Sequence, residues 1–290
     1  MDVPMAANLL LQRISSHRMS LTPKARLIGD YILNNPRKVI FMTTKELSRA
    51  ARVSEATVIR FVNQLGYKGY GDFLQELRDI IDTELTLIDR VGLTDMKAPE
   101  SERFRRVVFS EIDNLKQLHE SLDLDKVNRA VELLHVSSAV YVVGSRLSYT
   151  FAYYLGWSLT KIRTKVHIMR GSDSTCIDFL TIAPEESLVV IFATTRYPNE
   201  LIRLGKLAKR LNQTLIVITD GALCPLIPFA DLSIIAPSRH IPLIGSPTTL
   251  SCLINFFVVE LAARCGADLK RHQEKLEKVY LENDVLFNLR

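Results

Sequence analysis

Residues whose types and spacing could do chemistry are densest in Thr43–Phe73, TTKELSRAARVSEATVIRFVNQLGYKGYGDF. Val58, Phe61, Val62 and Leu65 recur at three- and four-residue spacing, so they should form the core face of one helix. The opposite face holds Ala56, Thr57, Arg60, Asn63 and Gln64, with Glu55 near its start. Such short or hydrogen-bonding side chains suit a helix that enters a major groove and reads base edges. Lys45, Arg49, Lys68 and the glycine-flanked Tyr70 would lie around it, placed for phosphates rather than bases. A small helical domain with a solvated basic face would share the charge. Here the core spacing, the caps and the composition of the outward face agree on a DNA-reading helix.

A second set lies further on. Arg146, Arg170 and Arg196 each follow a short apolar run. If those runs are neighbouring strands, three guanidinium forks converge on one pocket, and their geometry suits phosphate or carboxylate. Hydroxyls of Ser145, Ser148, Thr194 and Thr195 would complete the site. Arginines on a solvated rim would leave the same sequence.

These side chains need elements to position them. Thr44 is expected to cap a short helix carrying Leu47, Ala50 and Ala51; Arg52 and Val53 make a tight joint; Ser54 caps the next helix. Upstream, Thr22 and Pro23 start a helix whose stripe is Leu27, Ile28, Tyr31 and Ile32, and Asn34-Asn35-Pro36 stops it. Regular structure breaks over Gly92–Pro99, and a helix resumes over Ser101–Leu122. Beyond Val127 the period changes. Apolar runs at Ala139–Val143, Val166–Met169, Ser187–Phe192, Thr214–Thr219 and Leu232–Ala236 alternate with amphipathic segments such as Tyr149–Lys161 and Asn199–Leu211. Buried strands alternating with helices predict a doubly wound parallel sheet. The expected fold is α/β: an all-α helix-turn-helix domain over 1–80, a helical linker over 81–127, a sheet domain over 128–267 and a helical tail over 268–290. Thr248–Cys265 reads as a buried helix and Asp268–Arg290 as a charged one.

Charge divides along the same boundaries. Residues 1–80 hold 12 Lys+Arg against 7 Asp+Glu, the linker 7 against 11, the sheet domain 13 against 9 and the tail 5 of each. The net +5 therefore combines a basic first domain, an acidic linker and a mildly basic second domain. The apolar runs are strand-sized, short of the roughly 18 residues of a membrane span, and Met1–Leu11 lacks the features of a secretory signal. Cys176, Cys224, Cys252 and Cys265 show neither metal-knuckle nor redox spacing. A reducing cytoplasm fits this usage best.

The Val53–Phe73 segment resembles the RpiR-type transcriptional regulators, which join a helix-turn-helix domain to a sugar isomerase (SIS) domain that binds phosphosugars. The resemblance implies that Ser54, Glu55, Thr57 and Arg60 face DNA. With the residues around them, the expected DNA-binding set is Thr44, Lys45, Ser54, Glu55, Ala56, Thr57, Arg60, Asn63, Lys68 and Tyr70. It also implies a ligand site at the strand ends of Val127–Gly266. Family members carry a glycine- and serine-rich turn where Gly144-Ser145-Arg146-Leu147-Ser148 stands; a plain strand-to-helix turn with a serine cap explains those residues as well. At Ala193–Glu200 the family pattern is serine, any residue, serine, glycine, any residue, threonine, then glutamate two residues on. Thr195 and Glu200 keep it, whereas Ala193, Arg196 and Pro198 depart from it. The expected ligand set is Gly144, Ser145, Arg146, Ser148, Arg170, Thr194, Thr195, Arg196 and Glu200, holding a phosphosugar or another anionic sugar metabolite.

Isomerisation would require a general base and a proton shuttle. Glu200, His240 and Glu260 are the candidates, and no spacing ties them together. His17, His119, His135, His167, His240 and His272 offer no metal pair, and no cofactor is expected. A ligand-responsive regulator is therefore favoured over a sugar-phosphate isomerase with an appended helical domain. It would bind a double-stranded, roughly palindromic operator as a homodimer or higher homo-oligomer, with Thr248–Cys265, the linker and the tail as its platform.

Overall fold

A computed structural model describes residues 10, 13–16, 21–40, 42–82, 99–238 and 245–286 of the 290. The break expected over Gly92–Pro99 (all but Pro99), the chain start over Met1–Leu11 (all but Leu10), His17 and His240 lie outside the described residues. The chain forms two compact units, 1–103 and 104–290.

In the first unit, α1 (Pro23–Asn34) starts as expected: the Thr22 side chain accepts from the Ala25 N–H, and Pro23 takes the position where a missing N–H costs nothing. Its buried stripe is Ala25, Ile28, Gly29 and Ile32; Leu27, expected in the stripe, is 50% exposed. Asn35 ends the helix, and Pro36 opens the short α2 (Pro36–Val39). The next cap is displaced by one residue from expectation. Thr43, not Thr44, caps α3 (Thr44–Ala50), because Glu46 stands three residues after Thr43 and closes a reciprocal box. Thr43 Oγ1 accepts from the Glu46 N–H at 3.2 Å, and the Thr43 N–H donates to Glu46 Oε2 at 2.7 Å. These bonds to Thr43, backbone first, hold the Glu46 carboxyl below its ordinary range.

The joint turns at Arg52, which adopts φ 56°, and the Val53 N–H returns to the Ser48 carbonyl at 2.8 Å. Ser54 then caps α4 (Glu55–Gln64), and after Gly66 (φ 94°) comes α5 (Tyr70–Asp82). Val58, Phe61, Val62 and Leu65 are buried as the spacing requires. Phe73 of α5 meets Phe61 of α4 and Tyr67 of the intervening turn edge-on, joining the two helices.

In the second unit, α6 (Glu100–Ser121, belonging to it from residue 104) buries Asn114 and Leu118. Leu118 joins the sheet core, so the helix assigned to a linker packs as part of this unit. After α7 (Leu124–Val136) come β1 (Val140–Gly144), α8 (Ser148–Thr160), β2 (Val166–Arg170), α9 (Thr175–Thr181), β3 (Leu188–Ala193), α10 (Asn199–Arg210), β4 (Thr214–Thr219), a 3-10 turn (Ile227–Phe229), β5 (Leu232–Ile235) and α11 (Thr248–Glu282). The five strands pair in parallel in the order β2-β1-β3-β4-β5. Strand alternation sends Val140, Val142, Val190, Phe192 and Ile216 into a core with α7, α8 and α11. It sends Tyr141, Val143, Val189, Ile191 and Val217 into a second core with α9 and α10. Both faces are covered, as a parallel sheet demands. Arg163, just past α8, donates to the carbonyls of Leu134 and Ser137 and so closes the last turn of α7.

The two helices expected at the end abut without a linker. Gly266, with φ 52° and ψ −126°, is the only break within α11. Before it, Leu250, Leu253, Ile254, Phe257 and Leu261 are buried in the sheet core. Among the described residues α11 is the one helix long and apolar enough by composition to cross a membrane, a stretch longer than the strand-sized runs expected. Those core contacts take up one stripe of the helix, while Val259 on another is 62% exposed. Beyond Gly266 the helix returns to α8: Lys161 Nζ donates to the Tyr280 hydroxyl at 2.6 Å, and it lies 4.9 Å from the Trp157 ring centre and 5.3 Å from that of Tyr280. His272 Nε2 sits 2.8 Å from the Thr160 carbonyl. Gly266→Ala adds a Cβ that meets nothing within 4 Å among the described residues, so its cost is backbone strain alone, about 1–3 kcal/mol. Urea unfolding of the variant should show that loss.

Candidate functional site

The face of α4 opposite its core is open. Glu55, Ala56, Arg60, Asn63 and Gln64 are exposed, and Ile59, which composition did not single out, is 38% exposed beside them. Ser54 takes the Thr57 N–H at 3.3 Å, and its hydroxyl lies 2.8 Å from that of Thr57, so both caps are tied into the helix start. The Arg60 Nε donates to the Ala56 carbonyl at 3.2 Å, which lays the side chain along the helix. Lys45, Arg49 and Lys68 are exposed. Tyr70 differs: its phenol donates to the Met42 carbonyl at 2.9 Å, joining α5 to the chain before α3. In this conformation its O–H is spent within the unit rather than offered to a phosphate.

At the carboxyl edge of the sheet, β2, β1 and β3 are adjacent, so the segments that follow them stand side by side. Gly144 ends β1 where a Cβ would come within 2.4 Å of the Ser148 carbonyl oxygen; the strand meets the first turn of α8 only as glycine. Ser148 closes that turn. Its hydroxyl accepts from the Ser145 N–H at 3.1 Å and donates to the Ser145 carbonyl at 2.9 Å. Ser148 therefore closes the turn without capping the helix, whose N-cap position is Leu147 with no side-chain bond, and its donor is already used. Ser145, 2% exposed, donates from Oγ to Glu200 Oε1 at 2.5 Å across to the first turn of α10. That hydroxyl, then backbone N–H donation, then the charges of Arg203 and Arg146, hold the Glu200 carboxyl below its ordinary range.

The arginines divide. Arg146 and Arg196 are exposed and adopt φ 54° and 69°, left-handed values that cost a non-glycine residue roughly 1–2 kcal/mol. Arg196 thus holds a backbone conformation that glycine adopts without strain. Arg146 acts on Glu200 electrostatically. Arg170 instead stacks on Tyr149, its guanidinium carbon 4.9 Å from the ring centre. Thr194 and Thr195 occupy the turn after β3, and Thr195 is bound by a residue that sequence analysis did not name. Asp220, one residue beyond β4, accepts from the Thr195 N–H at 2.9 Å on both oxygens and from Thr195 Oγ1 at 2.8 Å. Its place directly after an apolar run, like Arg146 and Arg196, was the available signal. Beside these turns opens a cleft of about 790 Å³ whose lining includes Gly171, Asp173, Glu200, Arg203, Lys206 and Phe229. Glu260 lies half-buried on α11, whereas Glu200 sits at this edge.

Residues 8–84 match the helix-turn-helix domain of the rpiR family, and residues 133–264 match the SIS domain. The chain therefore carries, in order, the two domains that RpiR-type transcriptional regulators join. Its relatives include the HTH-type transcriptional regulator HexR of Pseudomonas aeruginosa, 25% identical over 276 residues that span 93% of this chain and 94% of HexR. The regulator YbbH of Bacillus subtilis is 24% identical over 250 residues, 86% of this chain and 87% of YbbH. The RpiR fold extends to solved structures. Vibrio vulnificus NanR complexed with ManNAc-6P covers 96% of this chain and all of its own, at 22% identity and a TM-score of 0.56. The sugar isomerase domain of an RpiR factor from Sphaerobacter thermophilus covers 60% of this chain and 97% of its own, at 22% identity and a TM-score of 0.57.

The Ser145–Glu200 bond makes a pH-dependent prediction. Because Glu200 is depressed in the folded state, its contribution is present above the ordinary carboxylate value of 4.5 and is lost as pH falls through the lower folded value. Ser145→Ala should therefore lower the melting temperature at neutral pH. Melts repeated at falling pH should show the gap from the parent protein closing below that range.

Proposed function

We propose that this RpiR-family regulator binds operator DNA through α4 and controls carbohydrate genes in response to an anionic sugar-derived effector, a phosphosugar foremost, held at the strand ends of its SIS domain. The observation that carries it is the outward face of α4, where Ala56, Thr57, Arg60, Asn63 and Gln64 surround no core contact of their own element while Val58, Phe61 and Val62 anchor the opposite side. A capped, rigidly seated helix with that face matches what base-edge readout needs. Lys45, Arg49 and Lys68 supply sequence-independent phosphate attraction.

For the effector, Arg146 and Arg196 flank hydroxyls at the switch point of the sheet, where strands of the doubly wound fold receive ligands. NanR, a structural neighbour, is complexed with a sugar phosphate, which supports that ligand class here. A single recognition helix reads too few base pairs for a genome, so the regulator acts as a homodimer or larger assembly. One stripe of α11, Leu250, Leu253, Ile254, Phe257 and Leu261, is buried within its own unit, whereas Val259 on another is 62% exposed. Self-association draws on exposed apolar side chains such as Phe104 and Phe109 of α6, Trp157 of α8 and Val259 of α11. The effector must bind two arrangements of that assembly with different affinity to change operator occupancy.

Operator titration with and without sugar phosphates tests this reading, and no effect from any of them would overturn it. Arg60→Ala should weaken operator binding by about 1–3 kcal/mol and relax selectivity at one base position, whereas Lys45→Ala should weaken all sequences alike and reduce the salt slope by about 1. Arg196→Ala should abolish the effector response while leaving operator affinity in place, measured by fluorescence anisotropy of labelled operator.

A further inference from the structure

The turn after β3 stands at the carboxyl edge of the sheet, where the strand order switches between β1 and β3. A carboxylate of the protein is already seated on Thr195 in that turn. Asp220 takes the Thr195 N–H with both oxygens and the Thr195 Oγ1 with one, all at 2.8–2.9 Å. A backbone N–H and an adjacent hydroxyl converging on one oxyanion are the donors that a phosphate or carboxylate ligand would use. Asp220 reaches them across 25 residues of sequence, from the end of the neighbouring strand, because β3 and β4 pair with Ala193 opposite Thr219. The next side chain, Tyr197, lies close to the same carboxylate. Burial first, and then the Asp220 charge, push its phenol far above the ordinary tyrosine range. Arg196 between them holds a left-handed backbone, which preserves the turn that brings N–H and hydroxyl together.

We propose that Asp220 is an internal competitor for the effector: its carboxylate occupies the oxyanion seat at Thr195, and an anionic ligand takes that seat only by displacing it. This rests on the reading that the strand ends hold an anionic effector. It adds that Asp220 sets the threshold and the selectivity of the response, because the incoming group must replace charge-assisted bonds that the protein already makes to itself. Arg146 and Arg196, exposed beside the seat, offer the compensating charge.

Inorganic phosphate is the probe, with binding to the full chain followed by calorimetry in the parent, Asp220→Ala, Thr195→Val and the double variant. Emptying the seat should tighten phosphate binding about tenfold or more, the worth of a charged hydrogen-bond pair, and the gain should vanish when Thr195→Val is added. No tightening in Asp220→Ala overturns the proposal. So does tightening that survives in the double variant, since removal of a nearby negative charge would then explain it without the seat. Should Asp220→Ala fail to fold by circular dichroism, Asp220→Asn keeps an acceptor for Thr195 without the charge, and a smaller gain that again requires Thr195 is expected; its absence overturns the proposal equally. None of these measurements involves DNA. A parent protein whose operator binding ignores every sugar phosphate would refute the functional reading while leaving the Asp220 result standing, and the converse pattern would refute the competitor alone.

Discussion

The pairing of β1 with β3 is the contact on which the rest of the second unit depends. These two strands run parallel in the middle of the order β2-β1-β3-β4-β5, and the chain leaves them in opposite directions, toward β2 from one and toward β4 from the other. A crevice at their carboxyl ends is the geometric result. Ser145 spans it by donating to Glu200, so the first turn of α10 is tied to the turn after β1. Both sheet faces must then be covered, and the two cores on either side meet that demand with α7, α8 and α11 on one and α9 and α10 on the other. The crevice is thus held from below by burial and from above by a single side-chain bridge.

Charges at that edge are arranged in matched pairs rather than left open. Glu200 is engaged by Ser145, Asp220 by Thr195 and Arg170 by the ring of Tyr149. Each carboxylate takes donors that a bound anion would want, while Arg146 and Arg196 hold strained backbone conformations at the rim. Strain of this kind persists where surrounding structure over-determines it, and it clusters at ligand sites. A net charge of +4 over residues 128–267 therefore says less about the site than the pairing of individual groups does.

Strand positions were legible because a parallel sheet buried on both faces writes continuous apolar runs; Thr214–Thr219 matches β4 residue for residue, and the others shift by one. The core face of α4 was legible for a similar reason, since helical periodicity records burial directly. Caps were less so: Thr43 and Thr44 are chemically alike, and only the reach of Glu46 to one of them decides the register. Leu27 was misjudged because periodicity fixes a face but not how far the neighbouring helices extend over it. The role of Asp220 was hidden for a stronger reason, although its place after an apolar run could be seen. Its partner is 25 positions away, and the bond exists only through the register of two strands. The apolar half of α11 could be read as largely buried, yet not that Val259 within it would stay exposed.

Trp157 is the single tryptophan of the chain, and it stands half exposed on α8, with the Lys161 ammonium between its ring and that of Tyr280. The protein consequently carries its own optical label. Indole emission from one position responds to whether the helix beyond Gly266 remains seated, and the first unit contributes no tryptophan signal to obscure it. Quenching and wavelength shifts in the unmodified chain thus follow the SIS-fold unit by itself, leaving an extrinsic dye free to follow the DNA.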